Sequence, residues 1–192
     1  MLNILIFGPP GCGKGTQSEF IVNQYNLKHL STGDIFRENI KNQTELGIKA
    51  KKYMDQGQLV PDFITIDMLG EKMQNKDEFS GFLFDGFPRT INQAESLDEF
   101  LLKMNQEISM MICLNVPEEE LVTRLLKRGV SSNRVDDQNE AIIFNRIKVY
   151  KEQTEILIEY YQKKNKFFNI NGALIIEDVK QEIFSLIDMH QK

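Results

Sequence analysis

The 192-residue chain carries a formal net charge of −5, with 41% hydrophobic and 27% charged residues, an ordinary composition for one folded domain. The acidic balance argues against a nucleic-acid-binding surface, and no apolar run approaches the roughly 18 residues that span a bilayer. Cys12 and Cys113 cannot form a disulfide framework, and His29 and His190 have no partners at metal-ligand spacing. We therefore expect a cytoplasmic protein with free thiols, no zinc site and no membrane or nucleic-acid partner.

The first predicted element is an apolar strand over 2–7 that runs into a glycine-rich loop and then a helix over 16–25. Gly8 and the pair Gly13-Lys14 have the spacing of a phosphate-binding loop, whose backbone N–H groups cradle a polyphosphate while the lysine reaches the β and γ phosphates. A helix that starts near Lys14 adds its positive dipole end. A turn without a ligand is the alternative, but four glycines, two prolines and a lysine in nine residues favour a phosphate site.

One feature of this loop departs from the general pattern. Gly15 follows Lys14 directly, and the hydroxyl comes one place later, at Thr16. The departure narrows the class of phosphate-loop protein to which the chain can belong.

Short helices are predicted between the second and third strands. The second strand covers 27–30, Ser31 and Thr32 are good N-caps for a helix over 35–42, and further helices cover 47–56 and 62–73. Asp62 is the expected N-cap of the third helix. Together these helices indicate an inserted lobe rather than crossovers of the sheet.

The third predicted strand, over 81–85, is apolar and ends in Asp85. In nucleotide-binding sheets such an aspartate holds Mg²⁺ or its waters beside the first loop, although it could simply cap the next helix.

The second half of the chain continues the alternation of strands and helices. A strand over 109–116 precedes a helix that opens at Pro117 and is expected to end at Gly129, followed by a loop over 130–133 and a further helix. A strand over 167–170 and a last helix from 177 or 178 complete the pattern. This alternation predicts an α/β fold with a parallel sheet covered on both faces and ligands at the carboxyl ends of the strands.

Arginine is scarce in this chain. Six of the 23 basic residues are arginines, at positions 37, 89, 124, 128, 134 and 146, and arginine is the side chain that offers a rigid bidentate fork to phosphate. Loose pairing with a nearby acid is the alternative for each of them, as Asp136 and Asp137 beside Arg134 illustrate. With the phosphate loop, the set indicates phosphoryl transfer, in which cations stabilise the charge on the transferred group.

The motifs of this sequence resemble those of the nucleoside monophosphate kinases and, within them, the adenylate kinase family. The resemblance extends over nearly the whole chain. It rests on Gly13-Lys14-Gly15-Thr16, Ser31-Thr32-Gly33-Asp34, Asp85-Gly86-Phe87-Pro88-Arg89, the pair Arg124 and Arg128, and Arg134-Val135-Asp136-Asp137.

The resemblance implies a phosphate-loop, three-layer α/β fold with a five-stranded parallel sheet in one kinase domain. Its core would comprise residues 1–30, 61–127 and 138–192, with a monophosphate-binding lobe over 31–60 and a short lid over 128–137. It further implies a monomer, a cis peptide bond between Phe87 and Pro88, and the substrates ATP and AMP with Mg²⁺.

The same resemblance implies a role for each site residue. ATP would be bound by Gly11, Cys12, Gly13, Lys14, Gly15, Thr16, Arg128 and Arg134, and AMP by Thr32, Arg37, Gln58, Val60, Gly86, Arg89, Gln93 and Arg146. The catalytic set would be Lys14, Arg89, Arg124, Arg134 and Arg146, with Asp85 holding Mg²⁺ through water.

Two readings other than an adenylate-specific kinase remain open. Within the kinases, a UMP/CMP kinase is the alternative; Gln93, four residues after Arg89, favours adenine because an amide donates and accepts at once. By resemblance, Thr32 favours AMP as well. A phosphate-loop nucleotide switch would want Ser or Thr directly after Lys14 and a complete Asn-Lys-x-Asp element, of which Asn75-Lys76-Asp77 is only a part.

Overall fold

Five parallel strands form one sheet at the centre of the protein, in the order β2-β3-β1-β4-β5. The computed structural model describes residues 1–73, 78–132 and 134–191, so Asn75-Lys76-Asp77 lies outside the described residues. The strands are β1 Leu2–Phe7, β2 Leu27–Ser31, β3 Gly81–Asp85, β4 Met110–Asn115 and β5 Phe167–Asn171. The predicted parallel α/β fold is confirmed.

Helices cover both faces of this sheet. They are α1 Lys14–Tyr25, α2 Thr32–Lys41, α3 Glu45–Met54, α4 Asp62–Met73, α5 Ile91–Lys103, α6 Glu118–Ser132, α7 Glu140–Val149, α8 Leu157–Gln162 and α9 Ile176–His190. A 3-10 turn, Val135–Asp137, precedes α7, and one turn of π-helix, Tyr150–Thr154, joins α7 to α8. The sequence predicted a helix carrying Arg146 but not this interruption.

The alternation of side chains along β1 divides the core in two. Ile4 and Ile6 face the side covered by α1, α6, α7 and α9, whereas Leu5 and Phe7 face the side covered by α4, α5 and α8. Because both faces of the sheet are covered, the apolar residues of β1 run consecutively from Ile4 to Phe7 instead of alternating with polar residues. A third, smaller cluster of Phe36, Ala50, Val60 and Met68 lies under α2 and α3.

The register of the strands brings the predicted functional segments to one edge of the sheet. Ile6 of β1 pairs with Asp85 of β3, and Asp85 pairs in turn with Ser31 of β2. The loop after β1, the acid that ends β3 and the start of α2 therefore lie side by side at the carboxyl ends of the strands, where ligands bind in open α/β sheets.

Two details near α2 agree with the sequence. Ser31 is the N-cap of α2, since its hydroxyl accepts a hydrogen bond from the Asp34 N–H at 3.3 Å. The peptide bond between Phe87 and Pro88 is cis, as expected.

The prediction that α6 ends at Gly129 is wrong, as is the loop predicted to follow it. The helix continues to Ser132, and Asn133 lies outside the described residues. A Cβ at Gly129 would lie 2.5 Å from the carbonyl oxygen of Asp137. The glycine thus lets the 3-10 turn pack closely against α6, which is a tertiary role and not that of a C-cap.

Asp62 is the first residue of α4, and its carboxylate turns to another helix. It accepts hydrogen bonds from Thr90, Asn92 and Gln93 at the start of α5. The expectation that Asp62 caps α4 is replaced by a contact that joins two helices.

Candidate active site

A cleft of about 760 Å³ opens at the carboxyl edge of the sheet, and fifteen of the predicted site residues line it. They are Gly11, Cys12, Gly13, Lys14, Gly15, Thr16, Arg37, Gln58, Asp85, Gly86, Arg89, Arg124, Arg128, Arg134 and Arg146. Thr32, Val60 and Gln93 are buried beside the cleft, with exposed fractions of 2%, 7% and 2%. The fold thus gathers residues from positions 11 to 146 around one space.

The phosphate loop keeps open space at its centre. Gly13 has φ +103°, a conformation that side chains rarely adopt. Apart from the adjoining residues and the local helix backbone, no described atom lies within 4 Å of where a Cβ on Gly13 or Gly15 would stand. The ammonium of Lys14 donates to the carbonyls of Gly8 at 2.8 Å and Pro9 at 3.0 Å. A flexible cation is therefore held at the mouth of a backbone cradle suited to phosphate.

Asp85 faces the same cleft from the end of β3. Its Oδ2 lies 3.8 Å from Nε2 of His29, and that nitrogen is buried without a hydrogen-bond partner. Among the described residues there is no cluster of three His, Cys, Asp or Glu that could hold a metal by itself. A single carboxylate beside a phosphate cradle fits Mg²⁺, which keeps most of its waters and binds phosphate oxygens rather than an all-protein cage.

Gly86, directly after Asp85, is contacted by two of the residues expected to bind AMP. Its carbonyl accepts hydrogen bonds from the Thr32 hydroxyl and from Nε of Arg89, both at 2.8 Å. Gly86 has φ +74°, and a Cβ there would lie 2.9 Å from Arg89 and 3.0 Å from Thr32. Glycine is required here for both its conformation and its lack of a side chain.

Arg89 lies in a concentration of positive charge. Burial and the charges of Arg146 and Arg37 lower the pKa of the Arg89 guanidinium to about 10, although Asp85 and Asp136 act in the opposite direction. At neutral pH the group is still protonated. Several cations that destabilise one another in the same cleft form a site that favours an anion.

Arg128 of the predicted lid and Arg146 of α7 converge on one buried acid. Arg128 donates to Asp137 through Nε at 2.6 Å and NH2 at 3.0 Å, and NH1 of Arg146 donates to the same carboxylate. Asp137 has no exposed side-chain surface. Burial alone would raise its pKa, but the hydrogen bond from Arg128 and the charges of both arginines hold the pKa below the ordinary value.

The pairing of these acids differs from the one considered from sequence. The sequence offers Asp136 and Asp137 as partners for Arg134. In the structure both acids bind Arg146, and Asp137 also binds Arg128. Arg134 instead lies 3.5 Å from Asp34, a hundred residues earlier. Proximity in sequence was therefore a poor guide to the ion pairs of the lid.

Arg124, one turn before Arg128 on α6, also reaches the cleft. It donates to Glu120 at 3.0 Å and 2.5 Å and to the carbonyl of Gly172 at 3.1 Å. The contact with Gly172 ties α6 to the loop after β5. The Arg124 side chain is 31% exposed, so it is accessible to a ligand in the cleft.

The Gln93 amide is engaged at both ends. Its Oε1 accepts from the backbone N–H of Arg89 at 2.8 Å, and its Nε2 donates to Asp62 at 2.7 Å. Asp62 was not identified as a site residue from sequence, because it precedes its partners by about thirty positions. The sequence offered only an acid at the start of a predicted helix, which has the appearance of an N-cap.

Comparison with known proteins agrees with this geometry. Residues 6–166 match the sequence profile of the family described as adenylate kinase. The chain is 52% identical to adenylate kinases of Flavobacterium psychrophilum and of Bacteroides fragilis, over 98% of this chain and 99% of each relative. It is 44% identical to an adenylate kinase of Methanothrix thermoacetophila, over 99% of this chain and all of the relative.

Proposed function

The chain belongs to the adenylate kinase family, and from that premise we propose how its own residues divide the work of the reaction. The protein is a nucleoside monophosphate phosphotransferase that catalyses ATP + AMP ⇌ 2 ADP. Transfer is direct and in line: an oxygen of the AMP phosphate bonds to the γ-phosphorus of ATP while the bond from that phosphorus to the β,γ-bridging oxygen breaks. ADP is thus both the leaving group and the product.

On the donor side, the backbone of residues 11–16 holds the ATP phosphates. Lys14 exchanges its bonds to the Gly8 and Pro9 carbonyls for bonds to the β and γ phosphates. Arg124, Arg128 and Arg134 approach the same phosphates from α6 and the lid segment 128–137. Their charge is most valuable in the transition state, where negative charge spreads over the equatorial oxygens of the transferred group.

On the acceptor side, Arg37 and Arg89 bind the AMP phosphate from the lobe over 31–60 and from the segment after β3. Arg146 lies between the two nucleotides and meets the transferred group. Arg37, Arg89 and Arg146 all line the cleft, and this is the observation that carries the assignment. The charges of Arg146 and Arg37 lower the pKa of Arg89, so a bound anion would stabilise its protonated guanidinium. Gln58 and Gly86 line this part of the cleft, and Thr32, Val60 and Gln93 surround the base.

Mg²⁺ is the proposed cofactor, held to Asp85 through water. When bound, it neutralises charge on the donor phosphates and orients them. Asp85 would hold the ion through water, while Thr16 and the loop would position the donor phosphates beside it.

We further propose that the protein acts as a monomer in the cytoplasm. Both cysteines are buried free thiols, and burial raises the pKa of Cys113 to about 12, so that thiol stays neutral and unreactive. Free thiols suit a reducing compartment. Among the described residues no helix combines the length and apolar composition that crossing a bilayer requires.

The experiment that tests the reaction is a product balance. With ATP and Mg²⁺ alone, ADP should form only at a trace rate; on addition of AMP, two ADP should appear for each AMP consumed. Hydrolysis of ATP at the same rate with and without AMP would instead identify a nucleotide switch, and activity only with CMP or UMP would identify a pyrimidine kinase.

A further inference from the structure

The carboxylate of Asp62 joins the start of α4 to the start of α5 through three hydrogen bonds. Its Oδ2 accepts from the Thr90 hydroxyl at 2.8 Å and from Nδ2 of Asn92 at 3.1 Å, and its Oδ1 accepts from Nε2 of Gln93 at 2.7 Å. Thr90 is itself the N-cap of α5 and accepts from the Gln93 N–H. Gln93 is thus held by its backbone and by its side chain.

These contacts fix which end of the Gln93 amide faces which partner. An ionised carboxylate only accepts hydrogen bonds, so it selects the NH₂ group, whereas the Arg89 N–H only donates, so it selects the oxygen. Rotating the amide by 180° would set oxygen against carboxylate and N–H against N–H. Because Gln93 is only 2% exposed, water cannot compensate for that mismatch.

The locked amide still has one N–H and one oxygen lone pair to offer. An amide carries two N–H donors and two acceptor sites on its oxygen, and each end has used one. The remaining pair complements the edge of adenine, where an amino group at C6 donates and N1 accepts. Hypoxanthine, which has the same size, reverses that order with a carbonyl at C6 and an N–H at N1.

We propose that Asp62 is a positioning residue that sets base specificity by holding the Gln93 amide in the orientation that accepts adenine and rejects 6-oxopurines. This inference rests on the proposed role of Gln93 as the reader of the acceptor base. The lock does not act against cytosine, whose amino group and ring nitrogen have the same order as those of adenine. Discrimination against CMP therefore comes from the size of the ring and not from Asp62.

The test is the ratio of kcat/KM for IMP to kcat/KM for AMP in Asp62→Asn. In the parent, Thr90 and Asn92 donate to one carboxylate oxygen of Asp62 and Gln93 donates to the other. An asparagine has a single amide oxygen, and we expect it to face Thr90 and Asn92, because that position has two donors. Its NH₂ group then faces Gln93 and opposes the original orientation of the amide, which is held only by the Arg89 N–H. We expect the IMP/AMP ratio to rise at least about tenfold.

If Asp62 had a merely structural role, its replacement would lower kcat/KM for IMP and for AMP by the same factor and leave their ratio unchanged. Asp62→Ser, which cannot reach Gln93, is a second variant and should raise the ratio in the same direction. Asn92→Ala is the matched control, because it removes another hydrogen-bond donor to the same carboxylate but leaves the bond to Gln93. The IMP/AMP ratio of this variant should stay at the parent value. In a Gln93→Ala background, Asp62→Asn should have no effect on the ratio, because its partner is gone.

The inference is overturned if Asp62→Asn and Asp62→Ser both keep the IMP/AMP ratio within about twofold of the parent while Gln93→Ala raises it. Gln93 would then read the base without help from Asp62, and the proposed function would stand. If Gln93→Ala also leaves the ratio unchanged, the role of Gln93 fails together with that of Asp62.

Discussion

The guanidinium of Arg134 lies 3.5 Å from the carboxylate of Asp34, across a hundred residues of chain. The same carboxylate accepts a hydrogen bond from Arg37 at 2.6 Å. Burial alone would raise the pKa of Asp34, but the hydrogen bond from Arg37, assisted by that of Ser31 and the charges of both arginines, holds the pKa below the ordinary value. One acid of the proposed monophosphate lobe thus holds an arginine of the proposed lid.

The first prediction concerns the equilibrium between open and closed arrangements of these two segments. In Asp34→Asn, the closed fraction of the free protein should fall by up to about fivefold, because an exposed ion pair contributes about 0.2–1 kcal/mol. Spectroscopic labels at Gln43 and Ser132, both exposed, report the distance. Binding of a bisubstrate nucleotide should shorten it in the parent and in the variant, since the phosphates supply stronger contacts than Asp34 does.

Asp55→Asn is the control for this experiment, because it removes an exposed ion pair between Lys51 and the C-cap of α3. Its label distances should match those of the parent. A label distance that does not change when the bisubstrate nucleotide binds to the parent would contradict a mobile lid and lobe.

The second prediction is that Lys14→Met lowers kcat at least about a thousandfold with little loss of stability, because the ammonium stabilises charge that develops on the transferred phosphoryl group. In the structure the ammonium bonds to the carbonyls of Gly8 and Pro9 and to Sγ of Cys12, all within its own loop. Lys163→Met, which changes the same charge at an exposed ion pair with Glu159, should retain the parent rate. If kcat of Lys14→Met stayed within tenfold of the parent value, the proposed catalytic role of this loop would be wrong.

The third prediction concerns acid stability and Asp137. Its native pKa is lowered, so the unfolded chain binds more protons than the native one between that lowered pKa and the ordinary carboxyl value. Stability from this group is therefore complete above the ordinary value and is lost as the pH falls through the native pKa. Within that window, each unit by which the pH rises should increase the parent's free energy of unfolding by up to about 1.4 kcal/mol through this group.

Urea unfolding of Asp137→Asn at a series of pH values checks this contribution. At neutral pH the variant should be less stable by roughly 2 kcal/mol, because it loses charge-assisted bonds to Arg128 and Arg146, and its stability should change less in the acid window. Glu107→Gln, at an exposed ion pair with Lys166, should follow the parent. Parallel curves for Asp137→Asn and the parent would show that this acid contributes nothing to acid stability.

Local patterns in the sequence predicted what local chemistry determines. The phosphate loop, the acid that ends β3 and the cap at Ser31 each depend on residues within a few positions, and the structure places them as expected. The parallel sheet followed from the alternation of apolar strands and helices.

Features set by contacts between distant segments could not be predicted in the same way. Gly129 looks like a C-cap, but the structure shows another reason for a glycine here: a side chain would collide with the turn at Asp137. Asp62 looks like an N-cap, but its partners lie 28 to 31 residues later. Likewise, Asp137 was considered only as a neighbour of Arg134, whereas the fold brings Arg128 and Arg146 to it.

The most direct test of the account is the comparison of kcat/KM for AMP and CMP in the parent protein and in Gln93→Ala. In the proposed function the Gln93 amide hydrogen-bonds the edge of adenine, and we expect the smaller ring of CMP not to reach it. We therefore predict that AMP exceeds CMP at least about a hundredfold in the parent, and that Gln93→Ala loses much of that ratio. Comparable values for AMP and CMP in the parent would contradict the assignment of AMP as the acceptor.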